Sequence, residues 1–308
     1  MRYKELLKPE YFEAFKNYEE KNRKILKEFG IAALRYHELM MIAECYPKGK
    51  TNLQKADEAR CLWPEGFSFK DTILSLRSKS PDGWMYNVDP ALLTADEAVI
   101  LVMYPFCCRM GGSFEDRFAQ SGELYEWLCV LKEKAEAEFA EKRRAACCFT
   151  GHRPHLFPWG EDMTDPRAVA LIAALDEAIE EAIADGITEF ICGGALGVDT
   201  WAATRVLKAK GRHSNVSLTL ACPWEGHNST VTNPDYLWVK QSADQRLVIS
   251  QKEGKEAFLE RDRWMVEHSS RIIAVYDEAS GLKGGTFYTL TYAKEQGLWV
   301  KQIKWTQL

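Results

Sequence analysis

Between Glu189 and Trp201 the chain reads Glu-Phe-Ile-Cys-Gly-Gly-Ala-Leu-Gly-Val-Asp-Thr-Trp, a short apolar strand, a glycine-rich turn and the opening of a helix. A second unit of the same form runs from Arg271-Ile272-Ile273-Ala274-Val275-Tyr276 to Gly284-Gly285-Thr286, again ahead of a helix. Glycine at such a turn removes side-chain bulk and admits positive φ, so a ligand can press against bare backbone amides. Those amides stand at a helix N-terminus, where unpaired N–H groups and the helix dipole both favour an anion. Two such turns point to a phosphate-bearing ligand, and leave open whether it is changed or only held.

Other residues around these turns suit the same chemistry. Thr150-Gly151-His152-Arg153-Pro154 leaves an earlier strand, with Thr150 and Arg153 placed for phosphate oxygens, the guanidinium by a two-pronged fork. His152 is either a ligand contact or an exposed turn residue. Asp199, in the first turn of its helix, suits ribose hydroxyls and is the candidate catalytic residue, stabilising an oxocarbenium-like centre, if the ligand is cleaved; the plainer reading is a dipole-stabilising carboxylate. Trp201 either stacks a base or fills the helix–sheet interface. Cys222-Pro223-Trp224 ends another strand and places Trp224 on the pocket wall. Arg261 and Arg263 lie on different faces of one helix, and Arg263 is the one expected to face the ligand. Gly284, Gly285 and Thr286 open the last helix, with Thr286 as cap and phosphate contact.

Gly193-Gly194-x-x-Gly197-x-Asp199 has neither the G-x-G-x-x-G spacing of the dinucleotide fingerprint nor the Gly-Lys-Ser/Thr of a P-loop. No His/Glu pair has metal-ligand spacing, and no G-x-S-x-G elbow is present. An ordinary dehydrogenase, NTPase, zinc enzyme or serine hydrolase is thereby disfavoured, and neither cofactor nor metal is expected.

The elements that must position these residues alternate. From Ala146 onward strands are predicted at 146–150, 188–192, 216–221, 246–249, 271–276 and 298–303, with helices between. Asp165 caps the first of those helices, Pro166 opens it, and Ile172, Leu175, Ile179 and Ile183 form its buried stripe. Such alternation implies a Rossmann-like α/β fold, a parallel sheet with helices on both faces. Ligands in these sheets bind past the carboxyl ends of the strands, where every glycine turn here lies. Residues 1–145 read instead as a mainly helical accessory domain. Its helices are predicted at 11–29, with Gly30 as the stop, and at 31–46, 95–110 and 121–144. The domain split expected is 1–145 and 146–308.

With 308 residues and 46% apolar content, two cored domains are reasonable. The net charge of −5 is mild and neither half carries a basic excess, which weighs against a nucleic-acid groove. Nine cysteines without a C-x-x-C pair read as reduced, buried thiols. The apolar run from Ala98 to Cys108 is broken by Pro105 and too short for a bilayer, and the first residues lack a signal-peptide core. A cytoplasmic location without membrane contact is expected.

The strings Cys147-Cys148-Phe149-Thr150-Gly151-His152-Arg153-Pro154 and Leu156-Phe157-Pro158-Trp159-Gly160 resemble the opening of YpsA-like proteins of the SLOG superfamily. Gly194 to Ala202, Ile273 to Asp277 and Gly284-Gly285-Thr286 resemble the same family, so the likeness covers the whole second half. The resemblance implies a Rossmann-like fold, a ligand site including Gly194, Gly197, Asp199 and Trp201, to which the turn itself adds Gly193, and a nucleotide or nucleotide derivative such as an ADP-ribose-type molecule as ligand. Where relatives carry Arg-Asn-Arg, this chain has Arg261-Asp262-Arg263. It also lacks the Pro-Gly-Gly-x-Gly-Thr-x-x-Glu pattern of the related Lonely-guy phosphoribohydrolases. Three functions follow as expectations. The first is a nucleotide-derivative binding or sensing module whose N-terminal domain reads out occupancy or contacts a protein partner. The second is a phosphoribohydrolase or N-glycosidase, for which Asp199, Asp277 and His152 are the available acid–base groups. The third, single-stranded DNA handling like that of DprA, lacks the basic excess it would need.

Overall fold

The structure is a computed structural model that describes residues 2–45, 59, 62–63, 67–107 and 114–308. The chain divides into two compact units, residues 1–139 and 140–308.

In the first unit the described α-helices include Pro9–Lys16 (α1), Arg23–Cys45 (α2), Phe69–Lys79 (α3), Ala95–Cys107 (α4), Phe114–Gln120 (α5) and Glu123–Arg144 (α6), the last continuing into the second unit. The expected ends at Tyr46 and Met110 lie outside the described residues. Gly30 does not stop a helix, as the sequence suggested: it lies inside α2, where a Cβ would stand 3.0 Å from the Phe106 ring. Its role is close approach between α2 and α4. The expected helix 11–29 is instead broken after Lys16, where Asn17 leaves helical geometry. α4 starts with a reciprocal capping box. The Thr94 hydroxyl accepts from the Glu97 amide at 3.2 Å, and the Glu97 carboxylate accepts from the Thr94 amide at 2.8 Å. α3 and α5 were not foreseen; α5 is short, and α3 fully buries only Leu76, so little hydrophobic periodicity announces it.

The second unit holds six strands: Ala146–Gly151 (β1), Glu189–Cys192 (β2), Ser217–Cys222 (β3), Gln245–Val248 (β4), Arg271–Val275 (β5) and Trp299–Ile303 (β6). All pair in parallel, in the order β4-β3-β2-β1-β5-β6, as the alternating pattern requires. The helices are Pro166–Ala184 (α7), Val198–Lys210 (α8), Pro234–Ser242 (α9), Lys255–Glu267 (α10) and Gly285–Glu295 (α11). Period-two alternation along β1 sends Cys147 and Phe149 into one core with α7 and α8, and Ala146 and Cys148 into another with α10 and α11. Cys147, Cys148, Cys192 and Cys222 are buried free thiols, packed as small hydrophobes.

Candidate functional site

The strand order reverses direction at β1. β2, β3 and β4 follow to one side, and β5 and β6 to the other. Chains leaving neighbouring strands toward opposite faces open a crevice, and here it lies between β1 and β5, beyond Gly151 and Val275. Both glycine turns meet there on one residue. The His152 carbonyl accepts from the Val198 amide at 3.3 Å, at the start of α8, while the His152 ring nitrogen Nδ1 lies 3.5 Å from the Thr286 hydroxyl, at the start of α11.

The two turns are nevertheless built differently. In the first, protein fills the space each glycine leaves. A Cβ would meet Val198 at 2.5 Å from Gly151, Arg261 Nη1 at 1.8 Å from Gly193, Leu220 at 2.8 Å from Gly194 and the His152 carbonyl at 2.6 Å from Gly197. Gly197, the N-cap of α8, has φ +96° and ψ −134°, a conformation open only to glycine. The nearby amides are engaged as well: Thr200 N donates to the Ala195 carbonyl at 3.1 Å, and Ala195 N donates to the Asp199 carboxylate at 3.3 Å. In the second turn a Cβ at Gly284 or Gly285 would meet nothing within 4 Å. Among the described residues no acceptor faces the amides of Gly285, Thr286 and Phe287. The N-cap is Gly284, so Thr286 is not the cap the sequence suggested; it is the second residue of the helix, buried in its first turn against His152.

Asp199 is 7% exposed. Burial raises its pKa, as does Asp262, while Arg261, the Ala195 amide and Arg153 favour its charge. Arg261 Nη1 stands 3.8 Å from its carboxylate and also donates to the Gly193 carbonyl; Nε is 2.7 Å from Asp262 Oδ1. Asp262 in turn accepts from the Thr289 hydroxyl at 3.0 Å, tying the ion cluster to α11. The arginine at the centre is thus Arg261, and Arg263, chosen from the sequence, is exposed on the outer face of α10. A signal for this was present: Ala257, Arg261 and Met265 recur every four residues and form the buried side of α10.

Thr150 is buried on β1 and Arg153 is half-buried just after it. Trp201 lies in the core, its ring 5.5 Å from Phe157, so it fills the helix–sheet interface. Trp224 is half-buried and packs edge-on against His227 and Phe258 at 4.7 and 5.1 Å. Asp277 is committed to its own turn, accepting from the Ala279 amide at 2.9 Å and from the Thr306 hydroxyl. His227, Asn228 and Phe258 were missed because a single glycine, Gly226, marks that loop and no motif spacing links it to the helix face of Phe258. Among the described residues no group of three His, Cys, Asp or Glu is placed to hold a metal ion.

Three histidines of this unit, His152 and His227 buried and His268 half-buried, are held below the ordinary value: His152 by desolvation, His227 to about 4 by desolvation and then Arg261 and Arg153, and His268 to about 4 chiefly by desolvation. A histidine neutral in the fold and ordinary when unfolded gives its full stability above about pH 6.5, and loses it as the pH falls toward the folded value. Asp199, raised in the fold, acts in the opposite sense but is one group against three. The urea midpoint of the full chain is therefore expected to fall steadily between pH 6.5 and 4. A midpoint flat or rising across that range would contradict the burial of these rings.

A parallel six-stranded sheet whose strand order reverses beside two glycine-turn helices defines a Rossmann-like α/β domain with its crevice at the reversal. The sequence model of the YspA SLOG family matches residues 147–308, just over half of the chain, and the chain belongs to that family. Among similar proteins, the SPbeta prophage-derived protein YoqJ of Bacillus subtilis is 30% identical over 149 residues, covering 43% of this chain and 85% of YoqJ. A UPF0398 protein of Bacillus cereus is 29% identical over 154 residues, 48% of this chain and 82% of its own length. Another, from Halalkalibacterium halodurans, is 27% identical over 128 residues, 40% and 67% of the two chains. Among the described residues no helix is long and apolar enough to cross a membrane.

Proposed function

We propose that the second unit binds or senses a phosphate-bearing nucleotide derivative, of the ADP-ribose or nucleoside phosphate class, in the crevice between β1 and β5. The observation that carries this reading is the start of α11, where three successive amides lack an acceptor among the described residues and a Cβ at either of two glycines would meet nothing within 4 Å. Backbone N–H groups at a helix N-terminus, bare of side chains, are suited to a phosphate. Thr150, Gly151 and Arg153 form the adjoining wall, Gly194, Gly197 and Asp199 the side toward α8, and Trp224 the far wall. The first unit, in this reading, reports occupancy or contacts a protein partner.

Binding is favoured over cleavage because the carboxylates available for acid–base work are engaged. Asp199 serves its own turn and Arg261, and Asp277 serves Ala279 and Thr306. The test is equilibrium binding of ADP-ribose and AMP to the full chain, followed by mass spectrometry of the recovered ligand. Asp199→Asn is expected to weaken binding by about 1–3 kcal/mol, the cost of impairing a charged hydrogen bond, with ligand returned intact by both proteins. Multiple-turnover release of free base or ribose phosphate, abolished by Asp199→Asn with affinity unchanged, would show a hydrolase instead.

A further inference from the structure

His227 is a buried imidazole that the reading above does not use. It follows β3 in the segment Trp224-Glu225-Gly226-His227-Asn228 and is 8% exposed. Its ring lies between Trp224 and Phe258, at 4.7 and 5.3 Å. The loop is pinned on either side: Gly226 has φ +81°, and Asn228 holds φ +58°, a left-handed conformation rarely adopted by non-glycine residues. The Asn228 side-chain Nδ2 donates to the Gly194 carbonyl at 2.8 Å, so the segment carrying His227 is fastened to the first glycine turn. Among the described residues neither ring nitrogen has a hydrogen-bond partner, which asks for an explanation in a side chain so enclosed. Unlike Nε2 of His152, neither nitrogen is sealed from solvent.

The charged groups that act on the ring are Arg261 from α10 and Arg153 from the turn after β1, with Asp199 and Asp262 facing Arg261 from its other sides. Burial and the two guanidinium charges hold the imidazole neutral, at about 4. Those two cations and two carboxylates sum to no net charge, so an arriving anion finds little excess positive charge to meet it. A neutral imidazole beside the anion supplies what is lacking, because a nearby negative charge favours its protonated form.

We propose that His227 takes up a proton from solvent when an anionic group of the ligand settles beside Arg153 and Arg261, and holds that group through a charged N–H present only in the bound state. The proposal rests on the reading of this unit as a phosphate-ligand site. It makes His227 a specificity residue, since an uncharged nucleoside would not draw the proton.

The test is calorimetry of ADP-ribose binding to the full chain in buffers of different ionisation enthalpy. The diphosphate of this probe does not titrate near neutrality. Proton uptake is expected at pH 7, with affinity rising by up to about tenfold per pH unit as the pH falls between the bound and free midpoints of His227. Adenosine should bind more weakly and without uptake. His227→Phe keeps a ring between Trp224 and Phe258, and His227→Gln keeps a polar group; each should bind ADP-ribose at least several-fold more weakly, with uptake and pH dependence gone. Binding to wild type without uptake, or uptake preserved in both variants, overturns the role of His227 and leaves the ligand site standing. Failure of ADP-ribose, AMP and sulfate all to bind wild type overturns both.

Discussion

Gly197→Ala is expected to cripple the second unit, whereas Gly285→Ala is expected to fold normally and lose its ligand. Gly197 sits at φ +96°, and a methyl group there would lie 2.6 Å from the His152 carbonyl and 2.9 Å from Pro154. The obstacle at His152 is backbone, so it cannot be relieved by turning a side chain. Strain at such a dihedral costs about 1–3 kcal/mol, and forcing extra volume into a packed turn costs about 1–3 kcal/mol more. Against a typical total of about 5–15 kcal/mol that is a large fraction. At Gly285, the first residue of α11, the methyl group meets nothing within 4 Å and alanine suits a helix better. Its denaturation midpoint should match or slightly exceed wild type, while ADP-ribose affinity drops tenfold or more, about 1.4 kcal/mol or above. Equal affinity in the two folded proteins would move the phosphate away from α11.

Arg261→Met should be the costliest side-chain change. It leaves Asp199 and Asp262 without their shared cation, and Asp199 is buried deeply enough to feel the loss in full. Removing one partner of a buried pair costs about 3–5 kcal/mol, whereas removing both charges is close to neutral. Urea unfolding at pH 7 should show the deficit, and adding Asp199→Asn to the same chain should return most of it. The single variant should also regain stability as the pH falls, because protonation of Asp199 relieves the unpaired charge. Additive losses in the double variant would mean that Arg261 and Asp199 are not coupled.

The architecture of the second unit was legible because it rests on periodicities. Strand and helix signals alternate, and the Asp165-Pro166 start of α7 is a local matter of one cap and one fixed dihedral. The glycine turns were legible too, but not their difference. The same residue type serves where protein crowds it, as at Gly193 against Arg261, and where space is open, as at Gly285; only three-dimensional neighbours separate the two cases. Different faces for Arg261 and Arg263 were legible, and Arg263 was preferred, yet the spacing of Arg261 from Ala257 and Met265 marked it as the inward one. Gly30 misled for the related reason that a helix stop and a close helix contact use the same residue. The reversal of strand order beside β1 is a property of long-range pairing that no local stretch encodes.

Among the described residues the sheet ends at β4 and β6, with no strand beside their outer backbone groups. Such borders invite other chains to add on, and natural proteins guard them with charge. Here β4 carries Arg246, ion-paired to Glu225, and β6 carries Lys301, ion-paired to Glu181. A strand arriving at either margin would have to displace hydrated, paired charges before gaining its first backbone bond. Self-association by sheet extension is thus discouraged at both margins.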